Sequence, residues 1–150
     1  MVERIDEIRR EVVIEAPIER VWEAVTSQEE IARWFGDISG VELRPGGAAK
    51  FGWTEYGSVS EAVVETVDEP HRFAYRWALE SDKPFEESFT TLVEFTLEPR
   101  GSGTHLTLVE SGFADIPDVL YEEHFGANSE GWDSELEDLK VYLAGVRPIV

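Results

Sequence analysis

The apolar positions change from an extended to a helical period early in the chain. Residues 8–17, "IRREVVIEAP", are rich in β-branched side chains and end at a proline suited to a first helical turn. This pattern predicts a strand that leads directly into a helix. The helix carries its apolar side chains on one stripe, formed by Ile18, Val21, Trp22 and Val25.

A second, shorter helix is predicted immediately afterwards. Ser27 and Glu30 have the spacing of a capping box, in which both side chains satisfy backbone N–H groups at the start of a helix. Gly36 is a typical stop signal. The side chains predicted to point inward from this helix are Ile31, Trp34 and Phe35.

The middle of the chain has the two-residue period of strands. Turn signals at 45–47, 68–70 and 99–103 each join two predicted strands, which gives three strand pairs. No helical crossover separates these strands, so an antiparallel meander is predicted. The inward-facing side chains are predicted to be Phe73, Tyr75, Trp77 and Leu79, then Phe89, Thr91, Val93, Phe95 and Leu97, and finally Leu106, Leu108 and Glu110.

One long helix is predicted near the carboxyl end of the chain. Asp115 can cap it and Pro117 suits its first turn, whereas Gly126 and Gly131 each weaken it by up to about 1 kcal/mol, so a break near Gly126 is the competing interpretation. Its stripe needs an apolar surface, and the strands provide the only large one. We therefore predict an α+β fold in which this helix packs along the inner face of a curved antiparallel sheet. The stripe consists of Tyr121, Phe125, Asn128, Trp132, Leu136, Leu139 and Leu143.

Composition narrows the classes of function. The 150 residues suit a single domain with its own core, and the absence of cysteine excludes thiol catalysis and disulfides. The formal net charge of −19 repels phosphate backbones and anionic lipid, so we expect no nucleic-acid and no membrane partner. No signal peptide and no apolar run of membrane-spanning length is present, which predicts a cytoplasmic protein.

Several segments, taken in order, resemble one protein family. They are "EAPIERVWEAVTSQEEIARWF", "RPGG", "ETVDEPHRFAYRW", "GTHLTLVESGF" and "GWDSELEDLKVYL". This order is similar to the activator-of-heat-shock-protein-90-ATPase homologue family, within the START-like (SRPBCC, polyketide cyclase-like) superfamily. The resemblance implies one START-like domain over residues 1–150. It also implies a helix-grip fold, with two short helices between the first and second strands and a cavity for an apolar molecule between the sheet and the last helix.

An aromatic cavity is the first candidate site. Aromatic rings bury large areas and suit flat or hydrophobic ligands. The competing interpretation is a filled core in which the same rings pack on one another. The rings predicted to face the space between sheet and helix are Trp34, Trp53, Tyr75, Trp77, Phe125 and Trp132.

Two polar residues interrupt the inward-facing series. Glu110 continues the apolar face of its strand, and Asn128 lies on the stripe of the last helix. A buried carboxylate must be paired or protonated, so the two residues could orient a ligand at the mouth of the cavity, and Glu110 is a weak candidate for an acid or base. The competing interpretation places both at the open end of the fold, in contact with solvent.

The sequence gives little support for metal binding or nucleophilic catalysis. His124 has no metal-ligating residue three or four positions away, so it is interpreted as a histidine on the helix surface, and no metal or other cofactor is expected. No nucleophile motif is present. The leading hypothesis is a protein that binds a hydrophobic small molecule. The alternatives are a module that regulates a chaperone ATPase or another protein partner, and a polyketide cyclase-like enzyme.

Overall fold

The computed structural model describes residues 4–81 and 83–145. Its strands are β1 (Glu7–Ile14), β2 (Ile38–Val41), β3 (Ala48–Trp53), β4 (Ser58–Asp68), β5 (Arg72–Ala78), β6 (Thr90–Arg100) and β7 (Gly103–Ser111). Its helices are α1 (Ile18–Thr26), α2 (Gln28–Trp34) and α3 (Asp118–Gly145). Single 3₁₀ turns lie at Thr54–Tyr56, Phe85–Glu87 and Phe113–Asp115.

All seven strands form one curved antiparallel sheet in the order β1-β7-β6-β5-β4-β3-β2. The strands from β2 to β7 pair with their neighbours in sequence, which confirms the predicted meander. The first strand crosses over to pair with the last, so that α1 and α2 connect the two edges of the sheet. The result is the helix-grip architecture that the resemblance implied.

Helix α3 lies against the inner face of this sheet. Its 28 residues run without interruption through Gly126, so the predicted break does not occur. Trp132, Leu136 and Leu139 on its stripe are buried among the apolar side chains of the strands. The prediction that the stripe covers the sheet is therefore confirmed. This position leaves the amino-terminal half of α3 over the ends of β3, β4 and β5.

Two predicted helix caps are wrong in detail, although both helices form. The Ser27 hydroxyl donates to the Glu29 carboxylate at 3.1 Å instead of capping the backbone. The Glu30 carboxylate, the other half of the predicted capping box, accepts from Arg20 at 2.7 Å and from Tyr142 at 2.8 Å. Asp115 ends a 3₁₀ turn, in which its N–H bonds to the Gly112 carbonyl at 3.2 Å. It is thereby separated from α3, which begins directly after Pro117.

The predicted inward orientation of Phe89 is also wrong. Phe89 precedes β6 and has 44% of its surface exposed. Its backbone N–H donates to the Glu80 carboxylate at 3.0 Å, and its carbonyl accepts from the N–H of Leu79 at 2.9 Å. These bonds hold it in the loop between β5 and β6, so the alternation of the strand begins only after it.

Candidate functional site

An open cleft lies where the first half of α3 passes over the ends of β3, β4 and β5. It has two adjoining lobes, with volumes of about 480 Å³ and about 850 Å³. The smaller lobe extends toward the loop after β5, and the larger lobe extends along α3 toward Glu135. The two lobes share Trp53, Ser58, Trp77, Glu123, His124 and Asn128.

Packed aromatic rings form the wall of the larger lobe. Phe35 leaves the end of α2 and stacks on Trp132, with ring centroids 5.3 Å apart and planes 9° from parallel. Trp77 stacks on Trp132 at 5.9 Å, and Trp53 meets Phe35 edge-on at 5.1 Å. Each ring is held by at least one other ring, so the wall is preorganised. Phe35, Trp77 and Trp132 are buried within it, and Trp53 is the half-buried ring of the four.

Gly36 allows Phe35 to reach this position. Its φ of 70° lies in the left-handed region that favours glycine. A Cβ at Gly36 would also collide with the carbonyl of Gly52 on β3. The turn that ends α2 therefore brings Phe35 close to the strand that carries Trp53.

Glu110 lies beneath this wall and binds four side chains. Its carboxylate accepts from the indole N–H groups of Trp77 at 3.1 Å and Trp132 at 2.8 Å. It also accepts from the Thr91 hydroxyl at 2.6 Å and from the Asn128 amide at 3.0 Å and 3.2 Å. Three of these groups can only donate, which suits an ionised carboxylate.

The position of Glu110 follows from strand register. It pairs with Ile8 on β1 and Val93 on β6, so it stands in an otherwise apolar row on the inner face. Burial raises the pKa of Glu110, and the hydrogen bonds from Thr91, Trp132, Trp77 and Asn128 lower it in part. The interpretation that Glu110 is in contact with solvent is wrong, since its side chain is fully buried. It also lies behind the mouth of the cleft and not in it.

The structure brings together five of the eight predicted site residues. Four of them line the cleft, namely Trp53, Trp77, Asn128 and Trp132. The fifth, Glu110, is buried behind the lining and accepts hydrogen bonds from Trp77, Asn128 and Trp132. The other three predicted residues pack against other side chains away from the cleft, as the competing interpretation of a filled core predicts. They are Trp34, whose indole donates to the Ala24 carbonyl at 2.8 Å, Tyr75, which packs between Phe51 and Phe73, and Phe125, which packs on Phe113 and Tyr121.

Several residues that line the cleft are not among the predicted site residues, and three of them matter most to its chemistry. Phe35 is predicted from the sequence only as an inward-facing side chain, Glu135 has no predicted role, and His124 is predicted at the helix surface although it is half-buried in the cleft wall. Helical spacing in the sequence could have identified His124 and Glu135. His124, Asn128, Gly131 and Glu135 recur at steps of four, three and four, beside the apolar stripe.

Glu135 has an unusual environment for a carboxyl group. One of its oxygens, Oε2, is buried and has no hydrogen-bond partner among the described residues. Burial and then the nearby charge of Asp138 raise the pKa of Glu135 to about 7, although the Trp53 side chain lowers it in part. The larger lobe therefore has a carboxyl at its edge that changes charge near neutral pH.

Two structural features bear on the kind of site. Across residues 4–81 and 83–145, no three histidine, aspartate or glutamate side chains cluster closely enough to hold a metal ion. Within the same residues, no helix combines the length and apolar character needed to cross a bilayer.

The fold and its cleft define a helix-grip protein of the START-like class. The family described as "Activator of Hsp90 ATPase homolog 1-like protein" matches residues 15–144, and the chain belongs to this family. The resemblance seen in the sequence is thus confirmed.

Solved structures from several sources share this fold. Protein MLL2253 from Mesorhizobium loti has a TM-score of 0.80 and 25% identity, with coverage of 95% of this chain and 99% of that one. DynU16, from the dynemicin biosynthetic locus, has a TM-score of 0.76 and 25% identity over 97% of this chain and 49% of its own. The Aha1 dimer from Colwellia psychrerythraea, at 19% identity, has a TM-score of 0.75 over 93% and 96% and shows the fold alone. A comparison with curated proteins finds no match.

Proposed function

We propose that this protein binds a hydrophobic or aromatic small molecule in the cleft between the sheet and α3. The observation that carries the proposal is the stacked wall of Phe35, Trp77 and Trp132 beside an open volume of about 850 Å³. Clefts of this size that combine aromatic walls with a few polar groups are typical of small-molecule sites. Membership of the START-like class and the similarity to a protein of a biosynthetic locus support it.

The position of Glu110 favours binding over acid–base catalysis. A general acid or base must come within hydrogen-bond reach of the reacting group. Glu110 is enclosed by two indoles, an amide and a hydroxyl, and it is not among the residues that line either lobe. We therefore assign it the role of fixing Trp77, Trp132 and Asn128 in place.

A protein partner is the second candidate. The family description names an activator of a chaperone ATPase, and the formal net charge of −19 gives the surface a strong field. Exposed charges would attract such a partner, and this attraction would weaken as salt is added. Stimulation of a chaperone ATPase that falls steeply with salt, and that persists when the cleft is blocked, would favour this candidate.

A cleft-blocking variant tests the binding proposal. Ala127 is exposed on α3 and lines the larger lobe, so A127W should fill the lobe without disturbing the core. A144W is the matched control, because Ala144 is also exposed on α3 but lies outside the cleft. Native mass spectrometry of protein purified from cells should show a retained small molecule on the wild type and on A144W, and none on A127W. Equal retention by all three proteins, or no retained molecule on any, would contradict the proposal.

A further inference from the structure

Three hydrogen-bond donors beside the cleft are already used within the protein. The indole N–H groups of Trp77 and Trp132 and the amide Nδ2 of Asn128 all donate to Glu110. These donors are thereby turned away from the open volume. Among the described residues, no group donates to the Asn128 side-chain oxygen, which stays available to accept a hydrogen bond. The serine hydroxyls of the lining can donate or accept, so they do not oppose a donor ligand.

Four carboxylates surround the cleft, together with His124, whose Nε2 lies 4.0 Å from the Glu123 carboxylate. Glu80 lies at the outer end of the smaller lobe, Glu123 borders both lobes, and Glu130 and Glu135 line the larger one. Neither lobe has a lysine or an arginine among the described residues that line it. A ligand with a negative charge would meet this field without a counter-ion, whereas a cation would be attracted.

Glu135 is the carboxylate best placed to pair with such a cation. Glu80 is already occupied, since it accepts from Lys83 at 3.0 Å and from the Phe89 N–H at 3.0 Å. Glu135 instead has a buried oxygen without a partner among residues 4–81 and 83–145. It borders the same lobe as Trp53, which is half-buried, and Tyr56, which is 73% exposed, and the faces of such rings attract cations.

We propose that the cleft selects a ligand with a protonated amine attached to an aromatic body, which pairs with Glu135 while the rings of Trp53 and Tyr56 contact the aromatic part. The inference rests on the proposed binding function and names the chemical class of the ligand. The carboxylates around the cleft, the unpaired oxygen of Glu135 and the aromatic rings of the lining all favour the same kind of molecule.

Three probes of equal size and different charge test this inference. Naphthylmethylamine is a cation near neutral pH, naphthylmethanol is neutral and naphthoate is an anion, and titration calorimetry measures the dissociation constant of each. We expect the amine to bind about tenfold more tightly than the alcohol, as an added ion pair and cation–π contact would give, and the acid to bind most weakly. The variant E135Q should lose most of the preference for the amine and retain binding of the alcohol.

The control variant is E122Q, which makes the same change of charge on the same helix. Glu122 is exposed and does not line either lobe, so E122Q should keep the preference of the wild type. Equal affinity for amine and alcohol, with both lost in A127W, would overturn the amine class and leave the cleft as a binding site. An amine preference that survives in E135Q would overturn the role of Glu135. If none of the probes binds, the amine class is overturned, whereas the proposed function is judged separately by the molecule retained on the wild type and A144W.

Discussion

Glu110 is the single residue on which the geometry of the cleft depends most. Its carboxylate joins Trp77 on β5, Thr91 on β6, and Asn128 and Trp132 on α3. A buried carboxylate without a positive partner is stable only when hydrogen bonds replace the lost water. Here these bonds also fix two of the three indole rings of the cleft, those of Trp77 and Trp132.

Replacing Glu110 by glutamine should destabilise the protein. The glutamine amide would turn a donor toward groups that themselves donate, so at least one buried N–H would lose its partner, which costs about 1–3 kcal/mol. Urea unfolding followed by tryptophan fluorescence would measure this loss. The control is E61Q on the exposed side of β4, for which we expect a change within about 0.5 kcal/mol. Equal stability of E110Q and the wild type would contradict the assigned role.

Glu135 should make stability depend on pH. Its pKa is raised to about 7 in the folded protein from an ordinary 4.5, so between these values the folded state binds more protons than the unfolded state. The stability that Glu135 contributes is therefore complete at low pH and is lost as pH rises through about 7. In thermal unfolding, E135Q should exceed the wild type in Tm at about pH 8 and match it at about pH 4.5. The same Tm difference at both pH values would be incompatible with the raised pKa.

Helix α3 combines a structural half and a half that borders the cleft. Leu136 and Leu139 are buried against the sheet, whereas His124 and Asn128 lie over the open ends of the strands. This division accounts for the single polar residue on its apolar stripe. Asn128 can be tolerated there because Glu110 accepts both of its short contacts.

Truncation of Leu139 tests the structural half. Leu139 is fully buried, so L139A should lose about 2–5 kcal/mol through lost burial and the cavity left behind. The matched control is V141A, since Val141 is 60% exposed on the same helix and should change stability by less than about 1 kcal/mol. Chemical denaturation measures both. Comparable losses for the two variants would mean that α3 does not pack on the sheet as described.

Most elements could be predicted from the sequence because their periodicity is strong. The strands of the meander and the stripe of α3 follow two-residue and helical periods over many positions. The errors concern local competition between hydrogen bonds. Ser27 bonds to Glu29 and not to the backbone, and Phe89 is held by the bonds of its loop.

The cleft could be predicted only in part, for a different reason. Periodicity identifies the side chains that point inward, but it does not tell which of them meet an open volume. Trp34 and Tyr75 point inward and are covered by other side chains, whereas Trp53 and Trp77 reach the strand ends that α3 leaves partly uncovered. His124 lies one helical position beside the apolar stripe, so an apolar pattern alone does not select it.

At the scale of the whole molecule, charge is the dominant property. With 32 acidic and 13 basic residues, self-repulsion opposes the compact state. Screening by salt reduces this repulsion. We therefore expect Tm to rise between about 0.05 M and about 0.5 M sodium chloride, with the same rise in potassium chloride. A Tm that is unchanged or lower at high salt would show that repulsion contributes little.

The central claim is that an aromatic molecule occupies the cleft beside three particular tryptophans. The five tryptophans of the chain can be observed separately by fluorine NMR of protein labelled with fluorotryptophan, with signals assigned from single Trp→Phe variants. On titration with naphthylmethylamine, we expect the signals of Trp53, Trp77 and Trp132 to shift, while those of Trp22 and Trp34 in the core stay in place. Shifts confined to Trp22 and Trp34, or no shift at any tryptophan, would contradict the claim.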